Sequence, residues 1–170
     1  MKTDGNIPAA ASVRIETERL VLRVAGRAEM EAAIAAEADP GVRKAYGEML
    51  EGCLGNPGDW AWHAMWSIEL RDGTRVGDLC FKGPPRAAGV PEIGYGILDA
   101  HRGHGFATEA VRAAVDWALR RPGVDAVEAE AEAGNAASQR VLEKCGFVPA
   151  GRMGAEGPRF VLERGRKESP

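Results

Sequence analysis

Apolar positions along this chain change their period several times, and each change marks an element. Leu20, Leu22 and Val24 alternate with polar or smaller residues across Arg19 to Val24, the period-2 pattern of a strand with one buried face. Arg27 to Ala38 is rich in alanine and glutamate, with Met30 and Ile34 as its apolar points. This predicts a helix that ends near Asp39-Pro40. Val42 to Leu54 reads as a second, loosely patterned helix. Trp60, Trp62 and Trp66 fall on alternate positions, so Trp60 to Leu70 reads as a strand. Asp72-Gly73-Thr74 is a turn, which makes Arg75 to Phe81 the return strand of a hairpin.

A proline- and glycine-rich loop from Gly83 to Pro91 leads into a strand from Glu92 to Leu98. A helix over Thr108 to Arg121 follows. Ala107, Ala110, Val111, Ala114, Val115 and Ala118 share one face of it at i, i+3, i+4 spacing. Arg120 and Arg121 suit the negative end of its dipole, and Pro122-Gly123 stop it. Across Val124 to Glu132, Glu128, Glu130 and Glu132 alternate with Val127, Ala129 and Ala131, which predicts one wet and one buried face. A short helix over Ala136 to Cys145 and strands near Phe147 to Arg152 and Arg159 to Arg164 complete the chain. Met1 to Ser12 is small and polar and reads as a disordered tail, leaving 13–165 as one folded domain.

The 170 residues suffice for one domain with a sizeable core and are too few for two ordinary ones. A net charge of −3 argues against nonspecific nucleic-acid binding, which needs a strongly basic face. Cys53, Cys80 and Cys145 are odd in number and lack zinc spacing, so they read as reduced thiols of a cytoplasmic protein. The start of the chain has no basic-then-apolar leader, and no apolar run reaches membrane-spanning length. His101-x-x-His104 has no carboxylate or cysteine partner spaced to complete a metal site, so no metal is expected.

The chemistry concentrates between Glu92 and Phe147. A strand, a basic glycine loop (Arg102-Gly103-His104-Gly105-Phe106-Ala107) and a helix start at Thr108 present free backbone N–H groups to an anion. The ligand should carry a phosphate or pyrophosphate; a tight turn without a ligand is the competing reading. No Gly-x-x-x-x-Gly-Lys-Ser/Thr occurs. Neither glycine pair completes a dinucleotide fingerprint: Asp99 follows Gly94-x-Gly96, and Thr108 follows Gly103-x-Gly105, at the third position.

Arg102 to Ala107 does fit Arg/Gln-x-x-Gly-x-Gly/Ala, and so resembles the pyrophosphate loop of the GNAT superfamily of acetyl-CoA-dependent N-acetyltransferases. Asn135-Ala136-Ala137-Ser138 with Gly146-Phe147 is similar to a second segment of that superfamily. Thr17-Glu18-Arg19-Leu20-Val21-Leu22-Arg23 is similar to the first strand of its ribosomal-protein-alanine N-acetyltransferase branch. The resemblance implies a single α/β domain with a mixed, mostly antiparallel sheet flanked by helices. Its central strands, Glu92 to Leu98 and Val124 to Glu132, should splay to admit the cofactor.

The resemblance implies acetyl-CoA as cosubstrate, a primary amine as acceptor, and direct transfer between them; it leaves a homodimer open. Arg102, Gly103, His104, Gly105, Phe106, Ala107 and Thr108 would cradle the pyrophosphate. Tyr95, Gly96 and Ile97 would present backbone groups to the pantetheine. Asn135 would bond the pantetheine arm; its competing reading is a helix N-cap, and the two are compatible. Ser138 would sit near the sulfur and protonate the departing thiolate, or else bond its own helix. Glu92 is the candidate general base, because an amine with a pKa near ~10 must lose a proton before it attacks a thioester. Its competing reading is an exposed strand-end carboxylate. Many relatives carry a tyrosine acid where this chain has Leu142. A non-catalytic acyl-CoA-binding module and an acyltransferase using a longer chain are the alternative functions.

Overall fold

The computed structural model describes residues 13–85 and 87–165. The tail read over Met1 to Ser12 lies outside them. The order is β1 (Arg14–Glu16), β2 (Leu20–Val24), α1 (Arg27–Ala36), α2 (Pro40–Gly55), α3 (Trp60–His63), β3 (Met65–Leu70), β4 (Arg75–Phe81), β5 (Glu92–Ile97), α4 (Phe106–Leu119), β6 (Ala126–Glu130), α5 (Ala136–Lys144), β7 (Val148–Met153) and β8 (Pro158–Glu163).

These strands form one eight-stranded sheet in the order β1-β2-β3-β4-β5-β6-β8-β7. Every pairing is antiparallel except β5 with β6. That parallel pair registers only at Glu92↔Glu128 and Ile93↔Ala129, although β5 runs on to Ile97. The two central strands therefore meet at their N-terminal ends and part beyond Ile93. The mixed, splayed sheet expected from the sequence is the observed one.

The sheet has one apolar and one polar face. Leu20, Leu22, Trp66, Ile68, Leu79, Phe81, Ile93, Val127, Ala129 and Phe160 are buried in the core. Helix α4 joins the same core through Ala110, Val111, Ala114, Val115 and Ala118. Small side chains on that stripe let the helix sit close to the sheet. Trp117 of α4 completes a ring cluster, with centroids 4.9 Å from both Trp62 and Trp66. Tilted and edge-on ring pairs of this kind add to the area that they bury. The opposite face carries Arg23, Ser67, Glu69, Asp78, Lys82, Glu92, Glu128 and Arg159, and α1 and α2 overhang one side of it.

Three sequence expectations need correction. Trp60 to Leu70 is not one strand. Trp60–His63 is a single helical turn after a 3₁₀ turn at Pro57–Asp59, and only Met65–Leu70 is extended. Tertiary contacts decide this. The Trp60 indole donates to the Ala25 carbonyl (2.9 Å), and the Trp66 indole donates to that of Ala61 (2.8 Å). Helix α4 begins at Phe106 rather than Thr108, because Gly105, at φ +79°, is its N-cap. The glutamates of β6 are not a wet face: the Glu128 and Glu130 side chains are 17% and 7% exposed, covered by Arg159. Strand β1 was not separated from its neighbours by the pattern.

Among the described residues no helix is long and apolar enough to cross a membrane. Among the described residues no cysteine is in a disulfide; burial pushes the Cys53 thiol up to about 11, and Cys145 packs in the core.

Candidate active site

The glycine loop owes its shape to two left-handed glycines and to a clamp from the turn between β1 and β2. Gly103 and Gly105 both have φ +79°, a conformation other residues adopt only under strain. The clamp is the threonine and arginine of the Thr17-Glu18-Arg19 segment. Thr17 Oγ1 donates to Glu109 Oε1 (2.6 Å), and so does the Arg19 backbone N–H (2.8 Å). Arg19 Nε donates to Glu109 Oε2 (2.7 Å), while its Nη1 reaches the His104 carbonyl (2.7 Å). Burial works against the Glu109 carboxylate, but these hydrogen bonds win and hold its pKa below the ordinary value. The Arg19 guanidinium also lies 4.8 Å over the Phe106 ring. His104 stacks on Phe106 and its Nδ1 pairs with the His101 carbonyl (3.1 Å), so its side chain serves the loop's shape.

Next to the loop lies the free edge of β5. The Lys82 N–H donates to the Glu92 carbonyl, and that of Leu98 donates to Val76. Backbone alternation therefore turns Glu92, Gly94, Gly96 and Leu98 towards β4, and Ile93, Tyr95 and Ile97 towards β6. β6 supplies a register partner for Ile93 and none for Tyr95 or Ile97. Their N–H and C=O groups line the gap, where Arg102 Nε donates to the Ile97 carbonyl (3.2 Å). Gly96 contributes an exposed surface without a side chain.

Helix α5 closes the other side. Asn135 is its N-cap: Oδ1 accepts from the Ser138 N–H at 3.0 Å. Its amide nitrogen is not used by the cap. Tyr95 Oη lies 3.0 Å from Ser138 Oγ and donates to the Ser138 carbonyl at 3.2 Å. Burial raises the phenol's pKa above its ordinary value, against a smaller lowering by the Ser138 hydrogen bond. Loop, β5 edge and α5 enclose a cavity of about 480 Å³. It is lined by Tyr95, Gly96, Ile97, Arg102, Gly103, Gly105, Phe106, Ala107, Thr108, Asn135 and Ser138. Of the residues singled out in the sequence, His104 and Glu92 do not line it.

Glu92 sits at the root of the splay, on the polar face. Its Oε1 accepts from Lys82 Nζ (2.7 Å) and its Oε2 from Arg159 Nη2 (3.0 Å). Each carboxylate oxygen keeps a lone pair for water. Arg159 also bonds Glu128 (2.9 Å) and Glu130 (3.1 Å), so one guanidinium gathers three carboxylates from β5 and β6. Arg152 adds a second pairing to Glu128. Burial opposes the Lys82 ammonium, but Glu92 wins and raises its pKa. Burial likewise opposes the Glu128 carboxylate, and the two arginines hold its pKa below the ordinary value. Backbone N–H groups of Glu156 and Gly157 lower that of Glu130.

The carboxylates of this cluster and of the loop clamp set a pH dependence. A carboxylate depressed by folding adds stability above its unfolded pKa of about 4.3, and loses it as pH falls through the folded pKa. Glu109, Glu128 and Glu130 all have this sign. Melting temperature should stay level between about pH 7 and pH 5 and drop below about pH 4. Arg159→Gln should narrow that acid drop. A melting temperature that rises on acidification from neutral pH would contradict the linkage.

The sequence reading missed several groups. Arg140 and Lys144 line the cavity from α5, four residues apart, with Val141 between them. Their i, i+4 spacing on the helix that begins at Asn135 was the available signal. Glu109 and Arg159 act across long sequence separations and left no local signal. The side chain of Tyr95, read only for its backbone, meets Ser138.

Comparison with known proteins agrees with this geometry. The model of the acetyltransferase (GNAT) domain matches residues 19–148. The uncharacterized N-acetyltransferase YoaA of Bacillus subtilis (strain 168) is 30% identical over 148 residues, spanning 81% of this chain and 84% of its own. YjdG of the same organism is 38% identical over 84 residues, 49% of this chain; the match spans about half of that relative. In fold, the chain is similar to RimL, a ribosomal L7/L12 alpha-N-protein acetyltransferase solved with coenzyme A. The TM-score is 0.69 at 18% identity, over 89% of this chain and 98% of that one. It is also similar to spermidine N-acetyltransferase from Vibrio cholerae, solved with CoA and spermine, with a TM-score of 0.68 at 17% identity over 87% and 97%. At such identities the structures speak for the fold alone. With a glycine loop at a helix start, splayed central strands and a domain match across most of its length, this chain belongs to the GNAT acetyltransferase family.

Proposed function

We propose that this protein transfers the acetyl group of acetyl-CoA directly to a primary amine. The observation that carries the reading is the cavity joining the glycine loop, the unpaired edge of β5 and the start of α5. Backbone N–H groups of the loop and the positive end of α4 suit a pyrophosphate, with Arg102, Arg140 and Lys144 as cations beside it. The pantetheine would lie along β5 as an added strand, bonded to Tyr95 and Ile97. The amide of Asn135 would hold its far end.

Acid and base would then stand on opposite faces of one strand. Glu92 belongs to the polar face, while Tyr95 and Ser138 belong to the other. An amine arriving on the polar face would give up a proton to Glu92 through water and attack the thioester in the gap. The thiolate would leave on the Ser138 side. Proximity and backbone stabilisation of the oxyanion carry the rest. On the amine's side, α1, α2 and the sheet enclose a second cavity of about 380 Å³. Glu29, Glu37, Glu69 and Asp78 line it with Arg23 and Arg75, a lining of net negative charge that suits a cation.

The test is CoA release from acetyl-CoA, followed with a thiol reagent, against a panel of N-terminal peptides and polyamines. Release should depend on the amine and fall when octanoyl-CoA replaces acetyl-CoA. Tight acetyl-CoA binding with no amine-dependent release would favour a binding module.

Asn135 yields a separable prediction. Asn135→Asp keeps an N-cap oxygen and removes the amide donor, so melting temperature should hold while KM for acetyl-CoA rises roughly fivefold. Asn135→Ala should also cost about 1 kcal/mol of stability through the lost cap. An unchanged KM in both variants would confine Asn135 to capping.

A further inference from the structure

We propose that the Tyr95 phenol resupplies the proton that Ser138 gives to the departing thiolate, so that the two hydroxyls form a relay. The inference rests on the acetyl-transfer reading above. Serine alone is a poor acid. Its alkoxide is far more basic than a thiolate, so it can release a proton only while it accepts one. A phenol, with an ordinary pKa of about 10, lies much nearer a thiol and can supply it. Leu142, on the same helix as Ser138, is fully buried and has no proton to give. Tyr95 reaches the same helix from β5 instead.

The hydrogen bonds permit the exchange. Tyr95 Oη has one proton and two acceptors within reach, the Ser138 carbonyl at 3.2 Å and Ser138 Oγ at 3.0 Å. With the phenol proton on the carbonyl, the serine proton points back at the phenol and the pair is idle. With the phenol proton on Oγ, the serine proton is free for the cavity that both residues line. Burial keeps the phenol protonated at neutral pH.

The step balances. The amine nitrogen bonds the carbonyl carbon and its proton passes through water to Glu92 or to solvent. The C–S bond breaks, and its electron pair goes to sulfur. The Ser138 proton moves to sulfur as the Tyr95 proton moves to Ser138 Oγ. Neutral thiol departs, and the phenolate takes a proton from water entering the emptied cavity. Tyr95 thus acts through Ser138 and is a positioning residue, not one that touches the thioester.

The experiment is a double-variant cycle on the full chain, with acetyl-CoA and two amine probes, spermidine and a serine-initiated tetrapeptide. Single-turnover rates are read for wild type, Tyr95→Phe, Ser138→Ala and the double variant. Tyr95→Phe should slow transfer by roughly 10- to 100-fold, with KM for acetyl-CoA changed less than about twofold. Ser138→Ala should slow it at least as much, and adding Tyr95→Phe to it should change nothing further. The wild-type rate should fall with deuterium content along a curve, and the Tyr95→Phe rate along a straight line. A wild-type rate in Tyr95→Phe, or losses that multiply in the double variant, would overturn the relay while leaving acetyl transfer standing. An equal rise in KM and loss of rate would reduce Tyr95 to packing and overturn it too. No transfer by the wild type to either probe, or to any amine of the wider panel, would overturn both readings together. Should Tyr95→Phe not fold, Ser138→Ala still decides: a wild-type rate in it removes the relay.

Discussion

Gly105→Asp should lower acetyl-CoA affinity by at least about 100-fold, from two additive causes. The first is backbone. Gly105 caps α4 at φ +79°, and a side chain there costs on the order of 1–3 kcal/mol of strain. An added Cβ would also lie 3.4 Å from Arg19 Nη2, inside the clamp that holds the loop. The second cause is charge, because the new carboxylate would sit where the helix N-terminus should meet a pyrophosphate. Gly105→Ala carries the strain without the charge. Calorimetry should therefore rank wild type above Gly105→Ala, and Gly105→Ala well above Gly105→Asp. Equal affinity in all three would place the pyrophosphate elsewhere.

Glu92→Gln should slow turnover by roughly 100- to 10,000-fold at neutral pH. The amide keeps the shape of the side chain and loses its ability to take a proton. The deficit should shrink as pH rises towards the amine's own pKa, because solvent then deprotonates the acceptor. A purely structural effect has a different signature. Lys82 and Arg159 would each lose a charged partner, which lowers stability at neutral pH and leaves the shape of the pH–rate profile unchanged. A wild-type rate in Glu92→Gln would assign the deprotonation to bulk water.

How much of this was legible in the sequence depended on the distance over which each decision is made. The loop was legible because its reasons are local. Two glycines at positive φ and a helix start fall within a few residues, and the pattern resembles a known pyrophosphate loop. The stripe of small residues on α4 was legible because helical periodicity is local as well. Trp60 was misread because its alternation with Trp62 also fits one helical turn, and its indole bond to Ala25 decides the matter across 35 positions. The glutamates of β6 were misread for the same kind of reason. Period 2 gave their common face correctly, but the arginine that covers that face lies on β8. Thr17 and Arg19 were recognised as part of a motif without a physical reason. The reason is Glu109, which both residues hold from about 90 positions away.

The central claim is that the acetyl group passes straight from acetyl-CoA in the β5–β6 gap to an amine arriving on the polar face. The most direct measurement is a single turnover with isotopically labelled acetyl-CoA in excess protein, quenched through time and read by mass spectrometry of both protein and amine. The account predicts one labelled acetyl on the amine for each CoA released, at matching rates, with no labelled protein at any time point. Label that appears on the protein before it reaches the amine, or CoA released while the amine stays unmodified, would contradict it.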